Sequence, residues 1–559
     1  MRKNDVIELA ITGTTAEGSG VGRHEGMAVF VPGGAEGDLL RVRIVKVLKN
    51  LAYGRLEKIL RPSPDRVKID CPAFPRCGGC VFRYIGYEAE KRIKRQRVAD
   101  ALRRIGGFSI EPRDLLCAPD TSAPRTGYRN KAQYPVGAVE GVTGTRAARL
   151  NPEHSLSIGF YAPRSHRIVD CRNCRLQPPE FTAALPAIEQ WAAETGVSIY
   201  DERTGKGLLR HIYLRKAFAT GQVMAALVIN GDGVPAPDRL VELLRQAVGE
   251  ALVSVQLNHN REDTNVVLGK ACTVLFGAEY LEDVLCGLRF RISPLSFYQV
   301  NRDMAEKLYK KAAEYAEPEG KILLDMYCGA GTIGLSMAGQ AKQVIGVEVV
   351  PAAVEDAERN ARLNGIANAR FLCADAAEAA RQLAAEGIRP DVILVDPPRK
   401  GCSPDLLQLI GETFRPERVV YVSCDPATLA RDCKQLAAVG YRLVEATPAD
   451  LFPGTAHVET VVLLSKLNTK QHIEVELNLD ELDLTSAESK ATYDEIKEYV
   501  LEKYGLKVSS HYISQVKRKC GLDVGQNYNL SKKEDAKVPQ CTPEKEAAIM
   551  DALKHFQMI

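Results

Sequence analysis

The residues with the clearest chemical potential lie in "YVSCDPATLARDC", 421–433. An apolar run from Val419 to Val422 stops at Ser423-Cys424-Asp425-Pro426. A structural cysteine belongs inside such a run. A cysteine at its exit is placed to meet a ligand. A free thiol ionises near pH 8.5, so a nucleophilic role needs positive charge or a helix N-terminus nearby. "PATLARD" reads as a helix that begins just after Cys424 and supplies that terminus.

A second set of residues describes a ligand pocket. "LLDMYCGAGTIGL" (323–335) follows an apolar strand and opens a helix, and Gly329, Gly331 and Gly334 match G-x-G-x-x-G. Such glycines allow a tight turn and close approach of a ligand to backbone. The usual ligand of this pattern is a dinucleotide, but three acids argue otherwise. Asp325, ending the strand, repels a pyrophosphate and suits a cationic amino acid or a sulfonium. Glu348 lies nineteen residues after Gly329, where an acid binds ribose hydroxyls. Asp375 ends the next strand, near where an adenine would lie. S-adenosylmethionine carries ribose, adenine and a positive sulfur but no phosphate, and it fits this set. A helix cap is a plausible reading of any one of these acids, but not of all three. "VDPPRKG" (395–401) ends a further strand. Its proline pair stiffens the exit and holds Asp396 at the carboxyl edge of the sheet, where open α/β folds bind ligands. A plain turn with an Asp cap is the competing reading.

A thiol beside a methyl donor has a specific use. Uracil C5 is a poor nucleophile, but a thiolate added at C6 generates an enolate whose C5 can take a methyl group from a sulfonium. A base must then remove the C5 proton so that the thiolate can leave. "GTAHVETVVLLS" (454–465) offers Glu459 and His457 as that base. Strand alternation puts both on one face, so spacing does not separate them.

These groups must be carried by a chain of 559 residues, long enough for several domains. Hydrophobic residues make up 45% and charged residues 26%, ordinary for a globular protein. No apolar run reaches the length of about 18 residues that a membrane span needs, and "MRKNDVIELA" lacks a signal-peptide core. The expectation is a cytoplasmic protein, where disulfides are rare. Net charge is only +3, but residues 41–68 hold nine Lys/Arg against two acids and residues 91–104 hold seven against one. Such stretches attract polyanions or form solvated helix faces.

Residues 1–62 read as short strands with glycine turns, a small barrel. "RPSPDRVKIDCP" (61–72) reads as a linker and 86–107 has helical spacing. Strands and helices mix irregularly from about 120 to 290. From 321, strand-like runs alternate with helical ones: "KILLDMY", "QVIGVEV", "ARFLCAD", "DVILVDPP", "RVVYVSC". This is a doubly wound α/β pattern with a mainly parallel sheet. It ends near Lys466. Beyond it, 466–559 carries fourteen basic and sixteen acidic residues. Its "ESKATYDEIKEYVLEKYG" and "SSHYISQVKRKCG" read as two helices of an accessory module.

Cysteines cluster once. "CPAFPRCGGC" places Cys71, Cys77 and Cys80 within ten residues, and "VDCRNCRLQ" offers Cys171 or Cys174 as a fourth ligand. Four thiolates suit tetrahedral zinc or an iron–sulfur cluster, and the spacing fits both.

Taken together, "SPLSFYQVN", "DMYCGAGTIGL", "DPPRKG", "SCDPATLARD" and "HVETVVLLS", in that order, make residues 1–465 resemble the bacterial uracil-C5 RNA methyltransferases, specifically the iron–sulfur type acting on 23S ribosomal RNA. The resemblance implies Cys424 as nucleophile and Glu459, over His457, as base. It implies Gln299, Tyr327, Glu348, Asp375 and Asp396 as S-adenosylmethionine contacts, Asp396 also positioning the uracil. It implies a [4Fe–4S] cluster on Cys71, Cys77, Cys80 and Cys174, the last because "CRLQ" matches the family's C-x-[IL]-Q. Residues 1–62 resemble a TRAM domain, an OB-like RNA-binding barrel. The expected architecture is a TRAM barrel (1–62), a mixed α+β central domain bearing the cluster (63–290), a Rossmann-like methyltransferase domain (291–465) and a helical extension (466–559). The expected partner is 23S ribosomal RNA, with no membrane, bound by a monomer. A tRNA substrate is the nearest alternative. A nicotinamide-dependent iron–sulfur oxidoreductase would leave Asp325, Cys424 and Glu459 without roles.

Overall fold

The structure is a computed structural model that describes residues 1–117, 125–138, 156–264, 266–467, 493–520 and 541–555. The chain forms two compact units, Met1–Gln471 and His472–Ile559.

The first unit begins with a six-stranded sheet. Across it lie Val6–Ala10, Leu39–Val47, Leu51–Arg61, Met27–Pro32, Ser19–His24 and Gly13–Thr14. Alternate side chains point inward, so Leu9, Val29, Val31, Leu40, Val42, Ile44 and Ala52 form a closed apolar core. Ser19–His24 ("SGVGRH") carries too little apolar pattern to be read as a strand. Its glycines explain this: a Cβ at Gly22 would lie 2.2 Å from the Ala10 carbonyl oxygen, so close strand approach replaces side-chain packing. Buried Asp38 ties the barrel to the segment Ser63–Arg66. Its carboxylate accepts from Arg66 Nε at 2.8 Å, Arg66 Nη2 at 2.7 Å and the Ser63 amide at 2.8 Å.

A second, seven-stranded sheet is built from Lys131–Ala138, Leu156–Tyr161, Ile168–Asp170, Leu209–Lys216, Val223–Ile229, Leu252–His259 and Ala271–Gly277. The helices Pro179–Thr195 and Pro237–Val248 share its core through Phe181, Ile188, Trp191, Leu240 and Leu244.

The third sheet is the α/β one. In order across it run Ala369–Cys373, Gln343–Glu348, Ile322–Met326, Val392–Val395, Arg418–Ser423, Glu459–Lys466 and Tyr441–Ala449. The first five are parallel. Glu459–Lys466 runs antiparallel between its two neighbours. The central strands are apolar throughout because both faces are covered. The hairpin Leu281–Leu285 and Leu288–Ile292 and the helix Arg302–Ala316 pack into one of the two cores.

The helix Tyr87–Arg104 packs on the other face: Val98, Ala101 and Leu102 belong to the same core as Leu429 and Leu436 of the helix Pro426–Ala438. Part of the charge of the basic stretch 91–104 is paired within the chain, one residue of it in the interior and the rest at the surface. Lys94 is 1% exposed, with Nζ 2.7 Å from both Glu90 Oε1 and Asp450 Oδ1. Arg92 pairs with Asp65, and Arg103 and Arg104 with Asp100.

In the second unit, Tyr493–Tyr504, Ser510–Lys519 and Pro543–His555 are helices around Ile496, Val500, Ile513, Val516, Ile549 and Leu553. Two of these helices are expected from the sequence, although 487–492 lies outside the described residues. The third, "PEKEAAIMDALKH", is additional. Among the described residues, no helix is long and apolar enough to cross a membrane.

Lys94→Met leaves Glu90 and Asp450 buried without their cation. It is expected to lower the free energy of unfolding by about 3–5 kcal/mol, measured by denaturant titration.

Candidate active site

The antiparallel strand brings the two chemical residues together. Ser423 pairs with Thr460 in the register, so Cys424, one residue past the end of its strand, comes opposite Glu459 at the start of the other. Both lie at the carboxyl edge of the parallel sheet. Cys424 is half-buried and Glu459 is 4% exposed.

The electrostatics of the ligand-free site differ from the expectation for Cys424. The helix Pro426–Ala438 does start beside it, but Asp425 is the cap: its Oδ1 accepts from the Ala427 amide at 2.9 Å and the Thr428 amide at 3.0 Å. The first free donors of the helix therefore serve a carboxylate rather than the sulfur. Burial raises the Cys424 thiol, the carboxylates of Glu459 and Asp396 raise it further, and Arg399 opposes them.

Glu459 and His457 separate clearly. Burial and the neighbouring Asp396 push Glu459 up to about 8 against the pull of Arg399. Burial, then Arg399, Arg97, Lys94 and Arg129, drive His457 down to about 4. A proton taken from carbon is held far better by Glu459 than by an imidazole ringed by cations.

Asp396 is half-buried, and burial pushes it up to about 7. The loop that carries it is fastened to the helix after Cys424. Thr428 Oγ1 donates to the Arg399 carbonyl at 3.1 Å and Arg431 Nη2 to the Lys400 carbonyl at 2.8 Å. Fully buried Asp432 accepts from the Cys402 amide at 2.9 Å and the Tyr421 hydroxyl at 2.6 Å. Gly401 has φ +83°, and a Cβ there would stand 2.4 Å from Asp432 Oδ2. The sequence reading misses Thr428, Arg431 and Asp432. Their spacing on one helix face is the signal that was available.

The glycine loop and its acids form a crevice at the same edge. Gly329 and Gly331 have φ +55° and +78°, and Tyr327 between strand and loop has φ +65°, unusual for an aromatic residue. The three acids each accept backbone amides, so the capping alternative is realised in part. Glu348 accepts from Gly329 at 3.1 Å and from Val350 at 2.9 Å. Exposed Asp375 caps the helix Ala376–Ala385 through the Ala377 amide at 2.9 Å. Asp325 Oδ2 accepts from Gly334 at 2.9 Å. Its Oδ1, however, is buried without a partner. Burial raises this carboxyl to about 7, against the Gly334 bond, with Asp396 and Glu348 adding to the rise. An orphaned carboxylate oxygen in a negatively charged crevice fits a ligand that brings an ammonium and a sulfonium. Gln299 is buried, two residues along the chain from exposed Phe297, and its carbonyl accepts from Asn130 Nδ2 at 2.8 Å.

Elsewhere, Cys71, Cys77, Cys80, Cys171 and Cys174 line one cavity of about 100 Å³ with Arg83, Arg129 and Arg175. Cys171 is therefore part of the thiol set and not outside it. Hydrogen bonding to Cys171 lowers Cys71 to about 6 and Cys77 to about 7, whereas burial raises Cys80 to about 11. Among the described residues, no three thiols, imidazoles or carboxylates stand as a preformed single-ion site.

The chain is similar to known proteins along most of its length. A profile of the tRNA (uracil-5-)-methyltransferase family matches residues 253–467, and one of the TRAM domain matches residues 2–56. A protein of Clostridium tetani described as an uncharacterized RNA methyltransferase is 41% identical over 472 residues, 84% of this chain and 98% of that one. A similarly described protein of Halalkalibacterium halodurans is 42% identical over the same shares. Among solved structures, the Pyrococcus abyssi tRNA (uracil-54, C5)-methyltransferase in complex with S-adenosyl-L-homocysteine matches with a TM-score of 0.64 at 28% identity. That match covers 82% of this chain and 99% of the other. The chain belongs to the tRNA (uracil-5-)-methyltransferase family. It is an S-adenosylmethionine-dependent RNA methyltransferase with an N-terminal TRAM domain.

For this methyltransferase, the raised carboxyl of Asp325 has a stability consequence. The folded state keeps a proton that the unfolded state loses near pH 4. The stability tied to that proton is complete below pH 4 and lost as pH rises through about 7. Asp325→Asn is therefore expected to raise the unfolding temperature of the ligand-free enzyme at pH 8. The same change is expected to weaken S-adenosylmethionine binding about 10- to 100-fold. Calorimetry at pH 5 and 8 and a donor titration check both.

Proposed function

We propose that the enzyme methylates C5 of uridine in 23S ribosomal RNA through a covalent adduct on Cys424. The Cys424 thiolate adds to C6, and C5 takes the methyl group as the sulfonium sulfur leaves as a thioether. Glu459 accepts the C5 proton, the C5–C6 double bond re-forms, and the thiolate departs. The observation that carries this reading is the register that sets Cys424 opposite Glu459. Asp396, beside both, orients the uracil, and Arg399 offsets the negative charge of the thiolate. Gln299, Tyr327, Glu348, Asp325 and Asp375 hold the methyl donor. Phe297, two residues from Gln299 and 64% exposed, offers a stacking face for a base drawn out of the RNA.

We read the thiol cavity as the seat of a [4Fe–4S] cluster on Cys71, Cys77, Cys80 and Cys174, supported by the five thiols gathered there. Hydrogen bonding to Cys171 lowers two of its thiols, Arg83 adds to this at Cys71, and Arg129 and Arg175 line the same cavity. Such a cluster, when bound, supplies bracing, since the reaction needs no electron.

A tRNA uridine is the second reading, favoured by the substrate named for the Pyrococcus abyssi relative. Methyl transfer to purified ribosomal RNA and tRNA from cells lacking the enzyme separates the two. Product mapped to 23S RNA supports the proposal, and product in tRNA alone overturns it.

Proton abstraction by a base with a pKa of about 8 needs the ionised form. In kcat/KM, which follows groups of the free enzyme, the acid limb assigned to Glu459 should rise up to about ten-fold per pH unit and bend near pH 8. A pH–rate profile without that limb would contradict the role of Glu459.

A further inference from the structure

The segment from Asp450 to Val458 leads straight into Glu459, and distant parts of the chain hold its backbone nearly residue by residue. The Leu451 carbonyl accepts from Asn301 Nδ2 at 3.1 Å, that of Phe452 from Lys94 Nζ at 3.1 Å, and that of Pro453 from the Tyr128 hydroxyl at 3.0 Å. The Gly454 amide donates to Glu90 Oε1 at 2.6 Å. The Gly454 carbonyl accepts from the amides of Val81 at 2.9 Å and Phe82 at 3.1 Å. Arg97 Nη1 donates to the Ala456 carbonyl at 2.6 Å. Asp450 itself takes Lys94 and the Tyr87 hydroxyl, at 2.7 and 2.8 Å.

Connections of this kind usually turn their carbonyls to water. Here most of the partners come from 81–97 and 128, and many are charged or buried. None of them is among the residues assigned above to the nucleophile, the base or the methyl donor. What they fix is the path of the chain into the base. A misplacement of about 1 Å can cost a reaction about 100-fold; the strand register pairs Glu459 with Ala449, and these contacts hold the chain that leads into it.

We propose that Val81–Phe82, Glu90, Lys94, Arg97 and Tyr128 form a clamp that positions Glu459 for removal of the C5 proton. The proposal rests on the covalent reading above and adds positioning residues to it. It also gives the thiol cavity a part in a reaction that moves no electron. Val81 directly follows Cys80, and a methyl group placed on Gly454 would stand 3.8 Å from Cys80 Sγ. The cysteine turn thus reaches the segment that leads into the base through two backbone hydrogen bonds.

The chemistry supplies a signature that a merely structural role would not produce. The adduct forms without the base but breaks down only with it. A variant with a displaced base should therefore collect the methylated, denaturation-resistant RNA–protein adduct on ordinary uridine RNA. A variant that is only less stable should lose adduct and turnover together. Lys94→Met is unsuitable because it also destabilises the fold, so the test uses full-length Tyr128→Phe and Arg97→Met. Each is expected to lower kcat about 10- to 100-fold with KM for RNA unchanged, and to accumulate adduct several-fold over wild type. Arg97→Lys is expected to restore turnover. A fall in kcat without adduct, or an unchanged kcat, overturns the clamp. Glu459→Gln runs beside them: if it gathers no adduct, the base assignment fails instead. Hydrogen exchange gives a readout apart from activity. Cys80→Ala should speed exchange across 450–458, and unchanged exchange there would detach the thiol cavity from the clamp.

Discussion

One strand running against the sheet organises this enzyme. Five parallel strands deliver their carboxyl ends, and with them Asp325, Glu348, Asp396 and Cys424, to a single edge. A sixth parallel strand would deliver another carboxyl end. Because Glu459–Lys466 runs the other way, it presents its first residue there instead. The loop before it must then cross the same edge, which is why so many donors are needed to hold it. The proposed nucleophile at a strand end and the proposed base at a strand start meet across one pair of backbone partners.

The rest of the unit serves that edge by controlling charge. Three carboxyls, Asp325, Asp396 and Glu459, are raised to about 7 or 8 by burial. In the ligand-free site these carboxyls resist ionisation, and a cationic donor would favour their charged forms. The cations most conspicuous in the sequence lie elsewhere. Lys94 is locked between two acids, and Arg66 is spent on Asp38. These two cations are thus structural struts, whereas Arg92, Arg103 and Arg104 of the same stretches stay at the surface.

The doubly wound sheet was legible because strands buried on both faces read as unbroken apolar runs. Cys424 and Asp396 were legible as polar residues at the ends of those runs. The choice between His457 and Glu459 was not, because alternation places both on one face. The environment that divides them comes from Lys94, Arg97, Arg129 and Arg399, far apart in the chain. The helix-start argument for Cys424 failed locally, since Asp425, the next residue, is the better cap. Ser19–His24 was hidden because glycine there serves close approach and leaves no apolar period. The gathering of Cys171 with the other thiols depends on tertiary packing, which spacing does not encode.

The central claim is the bond between Cys424 sulfur and uridine C6. Peptide mapping by mass spectrometry, after reaction with 5-fluorouridine RNA and S-adenosylmethionine, tests it most directly, because fluorine at C5 cannot leave as a proton and the adduct stalls. The result expected is one nucleotide-bearing peptide, spanning Cys424, with a single added methyl group. A nucleotide on another cysteine, or none on any, would contradict it.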